Sequence, residues 1–105
     1  MEKPNLIYLD SIACGDNDVK NLLIDTIKLE FPEEANDYYE SFMKKDYKKS
    51  EFNVHRIKHK ISILGLEQSY LIANEYEQNL RIKSTYKSDD FDTILLVITE
   101  YLKTL

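Results

Sequence analysis

Gly15, Gly65, Pro4 and Pro32 are the only glycines and prolines among 105 residues. An all-β domain needs a turn roughly every 8 to 12 residues, and such turns draw on residues that preset φ or tolerate positive values of it. Four such residues are too few for that, which argues against a sandwich or barrel and favours reading the apolar positions at helical spacing. Apolar residues at 43% and charged residues at 31% are enough to build a core and argue against disorder. The length suits one domain spanning residues 1–105, with the core bundle at about 16–105.

The glycines and prolines divide the chain into helical segments. A short apolar segment, Leu6 to Ala13, stops at Gly15, and Asp16 or Asn17 can cap the next helix. That helix, Val19 to about Lys45, carries Val19, Leu22, Leu23, Ile27, Phe31, Ala35, Tyr38, Phe42 and Met43 near one stripe, and Pro32 predicts a kink or local break within it. A third, from about Lys48 to Leu64, is closed by Gly65 and turns Val54, Ile57, Ile61 and Leu64 inward. A fourth, Glu67 to about Lys83, buries Tyr70, Ala73, Tyr76 and Leu80. The last opens after Ser88 and buries Phe91, Ile94, Leu95, Ile98, Tyr101, Leu102 and Leu105. Short connections between helices of similar length favour antiparallel neighbours. The expected fold is all-α: an antiparallel up-down four-helix bundle with a short extra N-terminal helix.

Cys14 is the only cysteine, so no intramolecular disulfide can form. It reads as a small buried residue in a reducing compartment. The longest apolar run, Ile94 to Ile98, is far too short to cross a membrane, which predicts a soluble, cytoplasmic protein. A net charge of −5 argues against a general nucleic-acid binder, which must neutralise phosphates with a basic surface. The charge is uneven. Residues 44 to 60 hold seven cations against two acids, a net charge of +5, which leaves −10 on the remainder.

On the third helix the chemistry lies away from the apolar stripe. His55, Lys58, His59 and Ser62 follow the i, i+3, i+4, i+7 rule and define one polar strip, expected to be exposed. Glu51, His55 and His59 step at intervals of four, so a metal stripe must be weighed. Two imidazoles are fewer ligands than a zinc site requires, and Lys58 and Lys60 stand beside them. No nucleotide loop, Gly-rich cradle or carboxylate dyad is present to support ATP-dependent or hydrolytic chemistry.

The string from Val54 to Gly65 resembles the signature of histidine-containing phosphotransfer (HPt) domains. In that signature the phosphorylatable His is followed by an aliphatic residue at +2, Lys at +3, a small residue at +7 and Gly at +10. Ile57, Lys58, Ser62 and Gly65 stand at those places relative to His55. The likeness extends to a Gly15-Asp16 pair before a long helix with a central Pro, and to a helix containing Ala73 and Glu77 after the His helix. Many HPt domains have Gly at +4, where this chain has His59, which adds bulk and a second titratable ring.

The resemblance implies an HPt-like bundle and a phosphocarrier without an ATP site. It would carry a phosphoryl group on His55 between a histidine kinase or receiver domain and a response regulator. An exposed imidazole, with an ordinary pKa near ~6.5, offers an unprotonated nitrogen as nucleophile at neutral pH. The resemblance makes His55 the phosphoacceptor and Lys58 the charge that stabilises the phosphoryl group. Lys48, Lys49, Glu51, His59 and Ser62 are the expected docking residues. The expected partners are a response-regulator receiver domain and a hybrid histidine kinase, with no nucleic acid and no membrane, and the chain is expected to be a monomer. No cofactor is expected on this chain, because the Mg²⁺ of the transfer belongs to the receiver. The rival reading is a non-catalytic helical bundle that docks a receiver or kinase without carrying phosphate.

Overall fold

Five helices and no strand make up residues 2–105, the part of the chain described by the computed structural model. They are α1 (Ile7–Ala13), α2 (Asn17–Met43), α3 (Tyr47–Ile63), α4 (Glu67–Arg81) and α5 (Ser88–Leu102). Among the described residues no helix is long and apolar enough to cross a membrane. The Asp16 carboxylate accepts from the backbone N–H groups of Asp18 and Val19 at the start of α2, and Asp46 accepts from that of Lys49 at the start of α3. Two of the orphan donors at a helix start are thereby satisfied in α2 and one in α3. α2 runs through Pro32 without interruption, so the expected local break does not occur there.

Polar contacts fix the relative direction of the helices. Arg56 bonds Asp37 at 3.1 Å and Lys60 pairs with Glu30 at 2.9 Å, so α3 ascends as α2 descends. Glu51 meets Arg81, and Lys58 meets Asn74, which sets α4 antiparallel to α3. One core unites the helices: Phe31 and Tyr38 of α2, Val54, Ile57 and Ile61 of α3, Ala73, Tyr76 and Leu80 of α4, and Phe91, Ile94, Leu95 and Ile98 of α5. Leu9 joins α1 to it. Within this core the hydroxyls of Tyr38 and Tyr76 bond each other at 2.6 Å, and burial pushes the Tyr76 phenol up to about 12.

Some residues expected in the core are exposed instead. Val19 and Leu22 are exposed because α2, with 27 residues, is roughly 40 Å long, against about 25 Å for the 17 residues of α3. Its first turns project beyond the other long helices. Met43 is exposed at the last turn, Tyr70 lies at the surface of α4, and Cys14 is exposed in the left-handed residue that ends α1.

Three helices end in the same way. After α3, the Gly65 N–H reaches the Ser62 carbonyl and the Leu66 N–H reaches that of Ile61, a pair of bonds that requires positive φ at Gly65. Lys45 after α2 and Lys83 after α4 make the same paired bonds with φ of 57° and 60°. At Gly65 an added Cβ would also stand 2.6 Å from the Asn5 side chain, and the Asn5 N–H donates to the Leu64 carbonyl. Gly65→Ala is expected to lower stability by about 2 kcal/mol, from left-handed strain together with displacement of Asn5. Urea denaturation checks this, and an unchanged midpoint would show that the turn tolerates a side chain.

Candidate functional site

α3 presents its middle to solvent on one side and to α4 on the other. Val54, Ile57 and Ile61 fill the core, which leaves the His55 side chain 59% exposed, as the helical spacing requires. Its Nδ1 lies 3.3 and 3.4 Å from the two carboxylate oxygens of Glu77. The His59 ring stands almost perpendicular to that of His55 with centroids 5.4 Å apart.

Glu77 organises the site, and its side chain is only 6% exposed. Oε1 pairs with Lys58 Nζ at 2.8 Å, while Oε2 accepts from Arg81 at 3.2 Å and faces His55. Arg81 extends the chain of charges through its Nε to Glu51 at 2.6 Å. Burial pushes the Glu77 carboxyl up, but the hydrogen bond and charge of Lys58, joined by His55, more than offset this and hold it below the ordinary glutamate value. A carboxylate so held is ionised at neutral pH and can only accept hydrogen bonds. In the neutral His55 ring it therefore favours the tautomer whose Nδ1–H donates to it, which leaves the lone pair on Nε2.

Lys58 does not lie on an exposed strip with His55, His59 and Ser62. Its side chain is 9% exposed, its amine donates to Asn74 Oδ1 at 3.0 Å besides pairing with Glu77, and it sits 5.4 Å from the centroid of the Tyr70 ring. The strip tilts toward α4, and the long aliphatic stem of Lys58 follows the interface to its carboxylate. Lys48, Glu51 and His55 share one groove with Phe52, Glu77 and Arg81. Lys49 lies on the opposite flank of α3, in a recess with Phe52 and Arg56, and Ser62 lines a separate recess with Tyr8 and Tyr70.

No role for Glu77, Asn74 or Arg81 follows from the motif on α3. For Glu77 a signal is present: it stands four residues after Ala73 and three before Leu80, so a carboxylate falls on the apolar stripe of α4 and needs a buried partner. Among the described residues no group of three or more His, Cys, Asp and Glu side chains is gathered to hold a metal ion. Compared with known proteins, the chain matches no family model, and no curated protein or solved structure is significantly similar to it.

The lowered pKa of Glu77 predicts a pH dependence. A carboxylate whose pKa falls on folding adds stability that is present above its unfolded value, here about 4.5, and is lost as pH drops through the folded value. The stability gap between the native protein and Glu77→Gln is expected to narrow between pH 6 and pH 3 in parallel urea titrations. A gap of equal size at both pH values would remove Glu77 from the acid response.

Proposed function

We propose that the protein is a phosphocarrier, with His55 Nε2 accepting a phosphoryl group from the aspartyl phosphate of a receiver domain and returning it to another. The observation that carries this reading is the contact between His55 Nδ1 and the buried carboxylate of Glu77, which directs the nucleophilic nitrogen of an exposed ring toward solvent. In the transfer a bond forms between Nε2 and phosphorus as the bond between phosphorus and the aspartyl oxygen breaks, freeing the donor carboxylate. Glu77 stabilises the positive charge that develops on the imidazole, as the carboxylate does in a histidine-based triad. Phosphoryl transfer asks chiefly for in-line positioning and charge neutralisation, and the receiver's own Mg²⁺ supplies part of the latter.

An HPt-like four-helix arrangement of α2 to α5, with α1 as the extra N-terminal helix, belongs to this reading. It is supported by the His55 position midway along α3 and by the antiparallel pairing of α2, α3 and α4. A cytoplasmic monomer working with a receiver domain and a hybrid histidine kinase completes it. Lys48 and the exposed Phe52 beside His55 offer charge and apolar area for docking. Lys58 acts through Glu77 instead of touching the phosphoryl group.

One observation favours the rival reading of a non-catalytic docking module. Burial of Lys58 against Glu77 and Asn74 gives that lysine a structural use that needs no phosphate. Mixing the protein with a phosphorylated receiver and Mg²⁺ separates the two. Acid-labile, base-stable phosphate on His55 is expected. A stable complex with no transfer would establish the docking module instead.

A further inference from the structure

One end of the molecule gathers lysines that form no ion pair among the described residues, on the side of α3 and α4, while the first turn of α5 brings Asp89 and Asp90 to the same end. Of the lysines beyond residue 10, all but Lys45, Lys48, Lys49 and Lys83 are paired with a carboxylate or, for Lys28, a carbonyl among the described residues. This is unexpected on charge supply alone, because 19 acids face 14 Lys and Arg residues. The four lysines left over lie at the end formed by the α2–α3 and α4–α5 connections. Lys45, Lys48 and Lys83, with Arg81, line one recess of about 570 Å³ between those connections.

Two features make the recess more than a scatter of surface charge. Its lining holds four cations against two acids: Glu51 is paired with Arg81, and Asp46 keeps its charge while its carboxylate accepts from the Lys49 backbone N–H at 3.2 Å. Lys45 and Lys83 both occupy left-handed helix-ending positions, where glycine is the residue of least cost. Both connections thus carry a long cation at such a position, and both cations face the same recess.

We propose that this recess binds a small molecule bearing two or more linked phosphate groups. Three amines without an ion-pair partner among the described residues, from two connections and α3, together with Arg81 provide donors and charge for more than one phosphate, and a compact ammonium is a point-charge phosphate ligand. Tyr47 in the lining offers an apolar face beside the charged groups. The recess shares Lys48, Glu51 and Arg81 with the groove of His55, so an occupant would compete for the same cation that docking would use. The binding itself stands independently of whether His55 carries phosphate.

The test uses inorganic pyrophosphate and tripolyphosphate as probes, with sulfate at matched ionic strength as reference, followed by amide NMR and calorimetry on the full chain. Saturable binding is expected, with shifts centred on Lys45, Lys48 and Lys83 and an affinity for tripolyphosphate at least tenfold above that for sulfate. Lys45→Met with Lys83→Met should weaken it at least tenfold. Lys3→Met with Lys49→Met removes equal charge outside the recess and should weaken it less than twofold. Thermal melts confirm that both double variants fold. Equal losses in the two double variants would reduce the effect to general charge attraction and overturn the site. Failure of both probes to saturate would also overturn it and leave these lysines to an acidic protein surface.

Discussion

His55→Gln is expected to reduce phosphoryl acceptance from a phosphorylated receiver to background while leaving the fold intact. The ring is the exposed nucleophile held by Glu77, and the lone pair of an amide nitrogen is delocalised into its carbonyl and does not attack phosphorus. The ring makes no contribution to the core, so stability should change by no more than about 0.5 kcal/mol. His59→Gln is the internal control. Its ring lies one turn away, perpendicular to that of His55, and makes no hydrogen bond to the Glu77 carboxylate among the described residues. It should retain most acceptance. Phosphate retained by His55→Gln and lost by His59→Gln would move the acceptor to His59 and make the Glu77 contact incidental.

The second large effect is on stability, at Lys58. Removing one member of a buried ion pair strands the other, and such losses run to about 3 kcal/mol or more. Lys58→Met keeps the aliphatic stem and deletes only the amine, leaving Glu77 to its partly exposed partners His55 and Arg81. Its unfolding midpoint in urea should fall accordingly. Lys58→Met combined with Glu77→Met should recover much of the loss, because neither buried charge remains without a partner. Transfer within a saturated complex should slow less than tenfold in Lys58→Met, since the amine faces Glu77 and Asn74. A stable variant with a hundredfold slower transfer would return Lys58 to direct contact with the phosphoryl group.

These two residues mark the division between what was legible along the chain and what was not. Exposure of His55 follows from local geometry: with Val54, Ile57 and Ile61 committed to the core, a helix of 3.6 residues per turn turns position 55 outward. Burial of Lys58 depends on a second helix, because whether a lysine is solvated or paired is decided by the carboxylate that a neighbour brings to it. Glu77 lies 22 residues away from His55, and no periodicity within α3 refers to it.

The same distinction runs through the fold. Scarce turn residues, the capping Asp16 and the glycine at 65 are properties of short stretches, and they suffice to specify helices and two of their ends. The stripe on α2 is helical as read, yet the fate of Val19 and Leu22 depends on how far the other long helices extend alongside it. Lys45 and Lys83 in left-handed turns are likewise invisible to local preference, since that preference names glycine. By itself the sequence determined the helical class, the core-facing stripe of α3 and the outward position of His55, because these depend on backbone preference and the pitch of one helix. Only the tertiary structure decided the carboxylate that faces His55 Nδ1, the partners of Lys58 and the convergence of basic turns at one end, because each depends on side chains that meet from different helices.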